Sequence, residues 1–206
     1  MKLPVILLLA CNALALAAER PTSFLGIPWG ASPEEAKRIL QKRPGVTFPE
    51  NADDFHIELT GGSFAGQPVA KWVIEFPERK FAMATVTLKT EGNASSVYKE
   101  FRNQLVAKYG SATVDKKTGA STGRAKNAQP QPQGSGNMAV WKFPPTMKEK
   151  SSVVISAELA GATARGDDSQ ATVTIKYLNE SLTAAAAAAS GKDAPKTTSP
   201  VKKEDL

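Results

Sequence analysis

Three observations predict an α+β fold. A helix with a full set of start signals opens at Ser32, a second amphipathic helix spans Val97 to Tyr109, and each is followed by three alternating strand patterns with turn residues between them. The expected architecture is two helix-plus-three-stranded antiparallel meander units. The helices should pack on the sheet, because a lone three-stranded meander has too little apolar surface to bury against itself.

The first helix is announced by Ala31-Ser32-Pro33-Glu34-Glu35. Ser32 can cap the free amides of the first turn, Pro33 suits the first helical position, and Glu35 completes a capping box. Both carboxylates also favour the positive end of the helix dipole. Ala36, Ile39 and Leu40 share one face, with Lys37, Arg38, Gln41 and Lys42 outside, until Pro44-Gly45 stops the helix. Ahead of it, Phe24, Ile27 and Trp29 are expected to add an edge strand or a plug.

The first three strands read as Phe55, Ile57, Leu59, then Trp72, Ile74, Phe76, then Ala84, Val86, Leu88, each set on one face. Gly61-Gly62, Gly66-Gln67-Pro68 and Pro77-Glu78-Arg79-Lys80 break the runs, so an antiparallel meander is the economical arrangement. His56, Glu58, Lys71 and Glu75 take the outward positions that a sheet with one wet face requires.

The second helix follows Gly92-Asn93, with Asn93, Ser95 or Ser96 as caps, and carries Val97, Tyr98, Phe101, Leu105 and Tyr109 at helical spacing up to Gly110. Strand patterns return at Ala139-Trp141-Phe143, Val153-Ile155-Ala157-Leu159 and Val173-Ile175-Tyr177. Between helix and strands, residues 115–137 are polar and rich in Gly, Gln and Pro, and read as a disordered insert. Residues 22–182 are thus one α+β domain. Residues 183–206 read as a low-complexity disordered tail, in which the alanine run 184–189 can extend a short helix.

Residues 1–17 have the three parts of a secretory signal peptide: Lys2, an apolar stretch from Leu3 to Leu16, and the small-residue motif Ala15-Leu16-Ala17. Cleavage would start the mature chain near Ala18 and make it periplasmic or secreted. The apolar run falls short of the roughly 20 residues needed to cross a bilayer. Leu8-Leu9-Ala10-Cys11 also spells a lipobox, in which Cys11 would be lipidated and anchor the chain in the envelope. That alternative leaves a short apolar region, which favours ordinary cleavage. Cys11 is the single cysteine, so cleavage after Ala17 removes disulfides, thiolate catalysis and cysteine metal sites together.

Gly26-Ile27-Pro28-Trp29-Gly30-Ala31-Ser32-Pro33-Glu34-Glu35-Ala36 resembles the opening motif of many exported bacterial proteins of unassigned function. More remotely, a glycine, a capping hydroxyl and a glutamate leading through a helix into a meander is similar to the fold shared by β-lactamase inhibitor proteins and the outer-membrane assembly lipoprotein BamE. The resemblance implies a protein-binding scaffold. It carries over no functional residues.

The chain offers little catalytic chemistry. One histidine, His56, excludes histidine-cluster metal sites, and its position on a polar strand face makes it a surface residue. Ser96-Val97-Tyr98-Lys99 and Lys117-Thr118-Gly119 match two motifs of serine β-lactamases. They lie close together, lack a Ser-Asp-Asn between them, and place Lys-Thr-Gly in the polar insert, so chance is the reading. Asp53-Asp54 and Asp167-Asp168 lack the alternating spacing of a calcium loop. Arg165-Gly166-Asp167 is turn chemistry. Asn93 and Asn179 begin glycosylation sequons that matter in a glycosylating host. The net charge of +6 is scattered, without a nucleic-acid footprint.

No cofactor, metal or catalytic residue is therefore expected. The expected function is a non-enzymatic envelope protein that binds another protein or an envelope polymer, touching the membrane only if Cys11 is lipidated. The alternative is a carboxylate-based hydrolase acting on a glycan, for which Glu58 and Glu75 are the nominees. Such an enzyme needs two acids facing each other across roughly 5 to 10 Å.

Overall fold

The computed structural model describes residues 20–49, 53–117, 135–147, 151–162 and 171–190. The fold is α+β, with three α-helices and a mostly antiparallel sheet among the described residues. The first part of the chain holds β1 (Ser23–Phe24), β2 (Ile27–Pro28), α1 (Pro33–Leu40), β3 (Val46–Thr47), β4 (His56–Gly61), β5 (Ser63–Phe64), β6 (Gln67–Glu75) and β7 (Met83–Leu88). The second holds α2 (Ala94–Tyr109), β8 (Val114–Lys117), β9 (Ser135–Phe143), β10 (Val153–Ala162), β11 (Thr172–Asn179) and α3 (Glu180–Ser190). A 3₁₀ turn at Pro77–Arg79 joins β6 to β7.

The strands form one sheet of nine, in the order β3-β4-β6-β7-β11-β10-β9-β8, with β5 paired to β6 off that path. The expected strand sets are thus joined where β7 pairs with β11, Val86 opposite Ile175. β1 and β2 stay outside as a two-stranded hairpin whose Phe24 and Ile27 are buried, so this segment is a plug and not an edge strand. Backbone bonds from Gly30 N–H to Phe81 O (2.9 Å) and from Phe81 N–H to Ala31 O (2.8 Å) strap it to the rim of the sheet.

Alternation sorts the strand residues as the sequence pattern demands. Ile57, Leu59, Trp72, Ile74, Phe76, Ala84, Val86, Ile155, Ala157, Val173 and Ile175 are all buried in one core. α2 lays Val97, Phe101, Leu105 and Tyr109 on this face and packs against β10 and β11. α1 adds Ala36 and Leu40, with Ser32 Oγ accepting from Glu35 N–H at 3.2 Å as a cap. All three tryptophans place the indole N–H on a backbone carbonyl: Trp29 on Pro21 (3.0 Å), Trp72 on Gly61 (2.8 Å), Trp141 on Gly110 (2.8 Å). The indoles thus pack in or against the core with each N–H paired.

Four expectations are corrected. Phe55 is 63% exposed and lies before β4, because Asp53 Oδ1 takes the N–H groups of Phe55 and His56 and sets the strand start at His56. Asn93 is the N-cap of α2 but makes no side-chain cap bond. The polar insert is shorter than 115–137. Asp115 pairs with Ala139, Lys116 with Met138 and Lys117 with Asn137, since ladder bonds need backbone and not apolar side chains. Finally, residues 183–190 are helical in α3, which carries the alanine run past the expected domain end. The leader with Cys11, most of the insert and the tail after residue 190 lie outside the described residues, as do Thr118-Gly119, Arg165-Gly166-Asp167 and Asp168.

Candidate functional site

The sheet has two faces, and α2 closes only one. On the other, register aligns three rows of partly exposed side chains across the central strands. One row runs Glu58, Val73, Thr85, Lys176 and Ser156 and ends on Val140, which is buried. A second runs His56, Glu75, Met83, Leu178, Val154, Lys142, and a third Lys71, Thr87, Thr174, Glu158, Met138. α3 leaves β11 beside the second row and packs near β10, β11 and the 3₁₀ turn. This second face mixes valine, methionine and threonine with charges of both signs, a composition suited to an interface with apolar centre and polar rim. Glu58 is bound there by Lys71 at 2.6 Å.

The nominated carboxylates lie on this same face, on adjacent strands. Glu75 is opposite His56, and Glu58 opposite Val73. A cavity of about 300 Å³ at the β3 edge has Glu58, Lys71, Phe48 and Leu59 in its wall, with no second carboxylate among the described residues that line it. His56 Nδ1 lies 2.8 Å from Asp53 Oδ2 and its Nε2 3.9 Å from Glu58 Oε1. Its ring thus faces two carboxylates. Amide bonds from His56 and Phe55 hold the Asp53 carboxyl below its ordinary value, so Asp53 serves as a turn acceptor. Its neighbour Asp54 instead pairs with Arg79, which also binds Glu34 at 2.7 Å.

Of the Ser96-x-x-Lys99 pair, Lys99 lines a cavity of about 410 Å³ between α2 and the β8–β9 edge, together with Ser95 and not Ser96. Tyr98 and the ion pair Arg102–Asp115 complete much of its wall. Tyr98 is 6% exposed, and its hydroxyl has no hydrogen-bond partner among the described residues. Burial, followed by the Asp115 charge, raises its pKa against the pull of Arg102. Among the two sequons, Asn179 is only 1% exposed and its Oδ1 accepts from Leu182 N–H at 3.1 Å. It caps α3 and is no glycan acceptor in the folded chain, whereas Asn93 sits at an exposed helix start.

Sequence reasoning missed one feature, although its signal was present. Ser23-Phe24-Leu25-Gly26-Ile27-Pro28 and Ser63-Phe64-Ala65-Gly66-Gln67-Pro68 are near copies. Each forms a hairpin tip in the same register, Ser23 opposite Pro28 and Ser63 opposite Pro68. Both central residues have positive φ, 54° and 85° at Leu25-Gly26 and 50° and 84° at Ala65-Gly66. Such turns favour Asn-Gly. Leu25 and Ala65 therefore each hold a β-carbon in the left-handed region, at a cost of roughly 1–2 kcal/mol.

Among the described residues, no group of three or more His, Cys, Asp or Glu side chains is placed to hold a metal ion, and no helix is long and apolar enough to cross a membrane. The chain matches no protein-family model, no curated protein and no solved structure.

Proposed function

We propose that this chain is an exported, non-enzymatic module of the cell envelope that binds another protein or an envelope polymer through the second face of its sheet. The observation that carries the reading is the contrast in that sheet: one face is sealed by helix and aromatic rings, while the other aligns Val73, Thr85, Lys176 and Ser156 in a partly exposed row. Binding is preferred to glycan hydrolysis because Glu58 is engaged by Lys71 and, among the described residues, no second acid lines the cavity at Glu58.

In the same reading, the sheet is two like units fused through β7 and β11. The order α1-β3-β4-β6-β7 is followed by α2-β8-β9-β10-β11, and the sheet lists them in mirrored sequence with β3 and β8 at the rims. A scaffold of this kind presents one broad surface and no deep cleft, as the remote likeness to inhibitor and assembly proteins implies.

Two experiments test the proposal. A photocrosslinking amino acid at position 85 should give a discrete adduct in the native envelope. Absence of any adduct, together with turnover of a glycan by the purified protein, would sink the reading. Intact mass from the envelope tests the address: a start at Ala18 fits a released protein, acyl chains on Cys11 fit a lipid anchor, and an unprocessed Met1 start contradicts export.

A further inference from the structure

Basic residues are spread thinly over this chain with one exception, the end of α1. Lys37, Arg38, Lys42 and Arg43 place four cations in seven residues with no acid among them, and no other window of seven holds more than two Lys or Arg. Arg38 and Lys42 are exposed, and Lys37 and Arg43 are partly exposed. None of the four makes an ion pair among the described residues. The acids of this helix, Glu34 and Glu35, sit in its first turn, and Glu34 is held by Arg79 at 2.7 Å.

The fold gains little from this crowding. A base or two in the last turn suits the helix dipole, but four exceed what it rewards. The turn continues past α1 through bonds from Lys42 N–H to Ile39 O (3.3 Å) and from Arg43 N–H to Leu40 O (3.0 Å). Arg38 and Lys42, four residues apart, therefore bring like charges together at one helix end, which is destabilising. Apolar surface lies beside them. Ile39 and Leu25 are partly exposed while packing on the core, and the Gly26 turn meets Ile39, whose Cγ2 lies 4.0 Å from where a β-carbon on Gly26 would stand.

We propose that the end of α1 docks this protein reversibly on a bilayer surface that contains anionic phospholipid, with Lys37, Arg38, Lys42 and Arg43 facing the headgroup phosphates and Ile39 and Leu25 resting against the headgroup layer. The charge fits, since clusters of four or more Lys and Arg on a helix are drawn to anionic lipid. The apolar neighbours fit as well, because a helix on a bilayer presents cations beside half-buried apolar side chains, whereas a soluble polyanion would leave Ile39 and Leu25 wet. Ala36 and Leu40, on the inner side of α1, belong to the same core that α2 seals, so docking by this helix leaves the second face of the sheet clear for a partner. The inference rests on the envelope address proposed above and not on partner binding, and vesicle binding by the purified protein is read independently of both.

The test is co-sedimentation of the full chain with vesicles of phosphatidylcholine alone and with vesicles rich in phosphatidylglycerol. The quantity read is the ratio of the two affinities, since an apolar leader or an acyl chain on Cys11 contributes alike to both. Each cation at an anionic surface adds about fivefold, so the ratio should exceed about 100. Raising salt from ~0.1 M to ~1 M, where the Debye length falls from about 10 to about 3 Å, should remove it. Arg38→Gln combined with Lys42→Gln should lower the ratio about 25-fold and leave the melting temperature unchanged or slightly raised, because both positions are exposed and their mutual repulsion is relieved. Lys142→Gln combined with Lys176→Gln makes the same change in net charge on the second face and should leave the ratio as it is. Linear polyphosphate serves as the soluble polyanion in a third arm. Equal affinity for both vesicle types, an equal loss from the Lys142 and Lys176 pair, or binding to polyphosphate with none to anionic vesicles overturns the proposal.

Discussion

The two faces of the sheet are built from the same strands and differ in nearly every physical respect. Along β6, Trp72 and Ile74 are fully buried, as is Phe76 just beyond it, while Lys71, Val73 and Glu75 are partly or wholly exposed. On β11, Val173, Ile175 and Tyr177 enter the core, and Thr174, Lys176 and Leu178 do not. The sealed face therefore supplies stability, and the second face is free to vary. Helix α2 can seal only one side, and with β7 joined to β11 in a single sheet the other side becomes one broad surface.

The largest test of that division is Trp72→Ala. Trp72 is buried, lies 5.7 Å from Phe64 and 6.4 Å from Phe24, and donates to Gly61 O. Its loss should cost about 3–5 kcal/mol in denaturant unfolding, as large aromatic truncations do. A cost under about 1 kcal/mol, the ordinary surface range, would mean the sealed face is not the stabilising one.

A smaller effect is expected from alkali. Burial raises the Tyr98 phenol above its ordinary value of 10.0, and burial with the neighbouring Tyr109 raises Tyr177 further. Because the folded chain holds both protons more tightly than the unfolded chain does, stability is full below about pH 10 and falls as pH rises past it. Absorbance at the tyrosinate band should rise for Tyr98 and Tyr177 only with unfolding, and Tyr98→Phe together with Tyr177→Phe should flatten the decline. Ionisation of both in the folded state near the ordinary value would contradict their burial.

The smallest effect belongs to the second face. Thr85→Arg should change stability by no more than about 0.5 kcal/mol, because Thr85 is partly exposed on the second face. The same substitution should abolish partner binding. A large loss of stability would show that this face, too, is structural.

Much of this division could be read in the sequence. Period-two alternation placed ten or so core residues on the right face, from Ile57 to Ile175, because one-sided burial writes directly into side-chain order. The Ser32 cap and the Pro33 start were legible for the same local reason. Tertiary choices were not. Nothing within β7 or β11 says that they pair, since long-range register depends on two distant segments at once. Asp115–Lys117 looked like insert because its ladder with β9 is a backbone event and Arg102, its ion-pair anchor, lies on another element. The twin hairpins were visible as a repeated hexapeptide, but their shared register and positive-φ turns needed the backbone. Of the nominated acids, Glu58 and Glu75 were placed on the outward face as expected, while the cross-strand partner Lys71 was not foreseen.

The most direct test of the central claim compares two crosslinker positions in the native envelope, 85 on the second face and 99 on the exposed side of α2. A discrete adduct from position 85, lost with Val73→Arg and absent from position 99, is the predicted result. An adduct from 99 with none from 85 would contradict it.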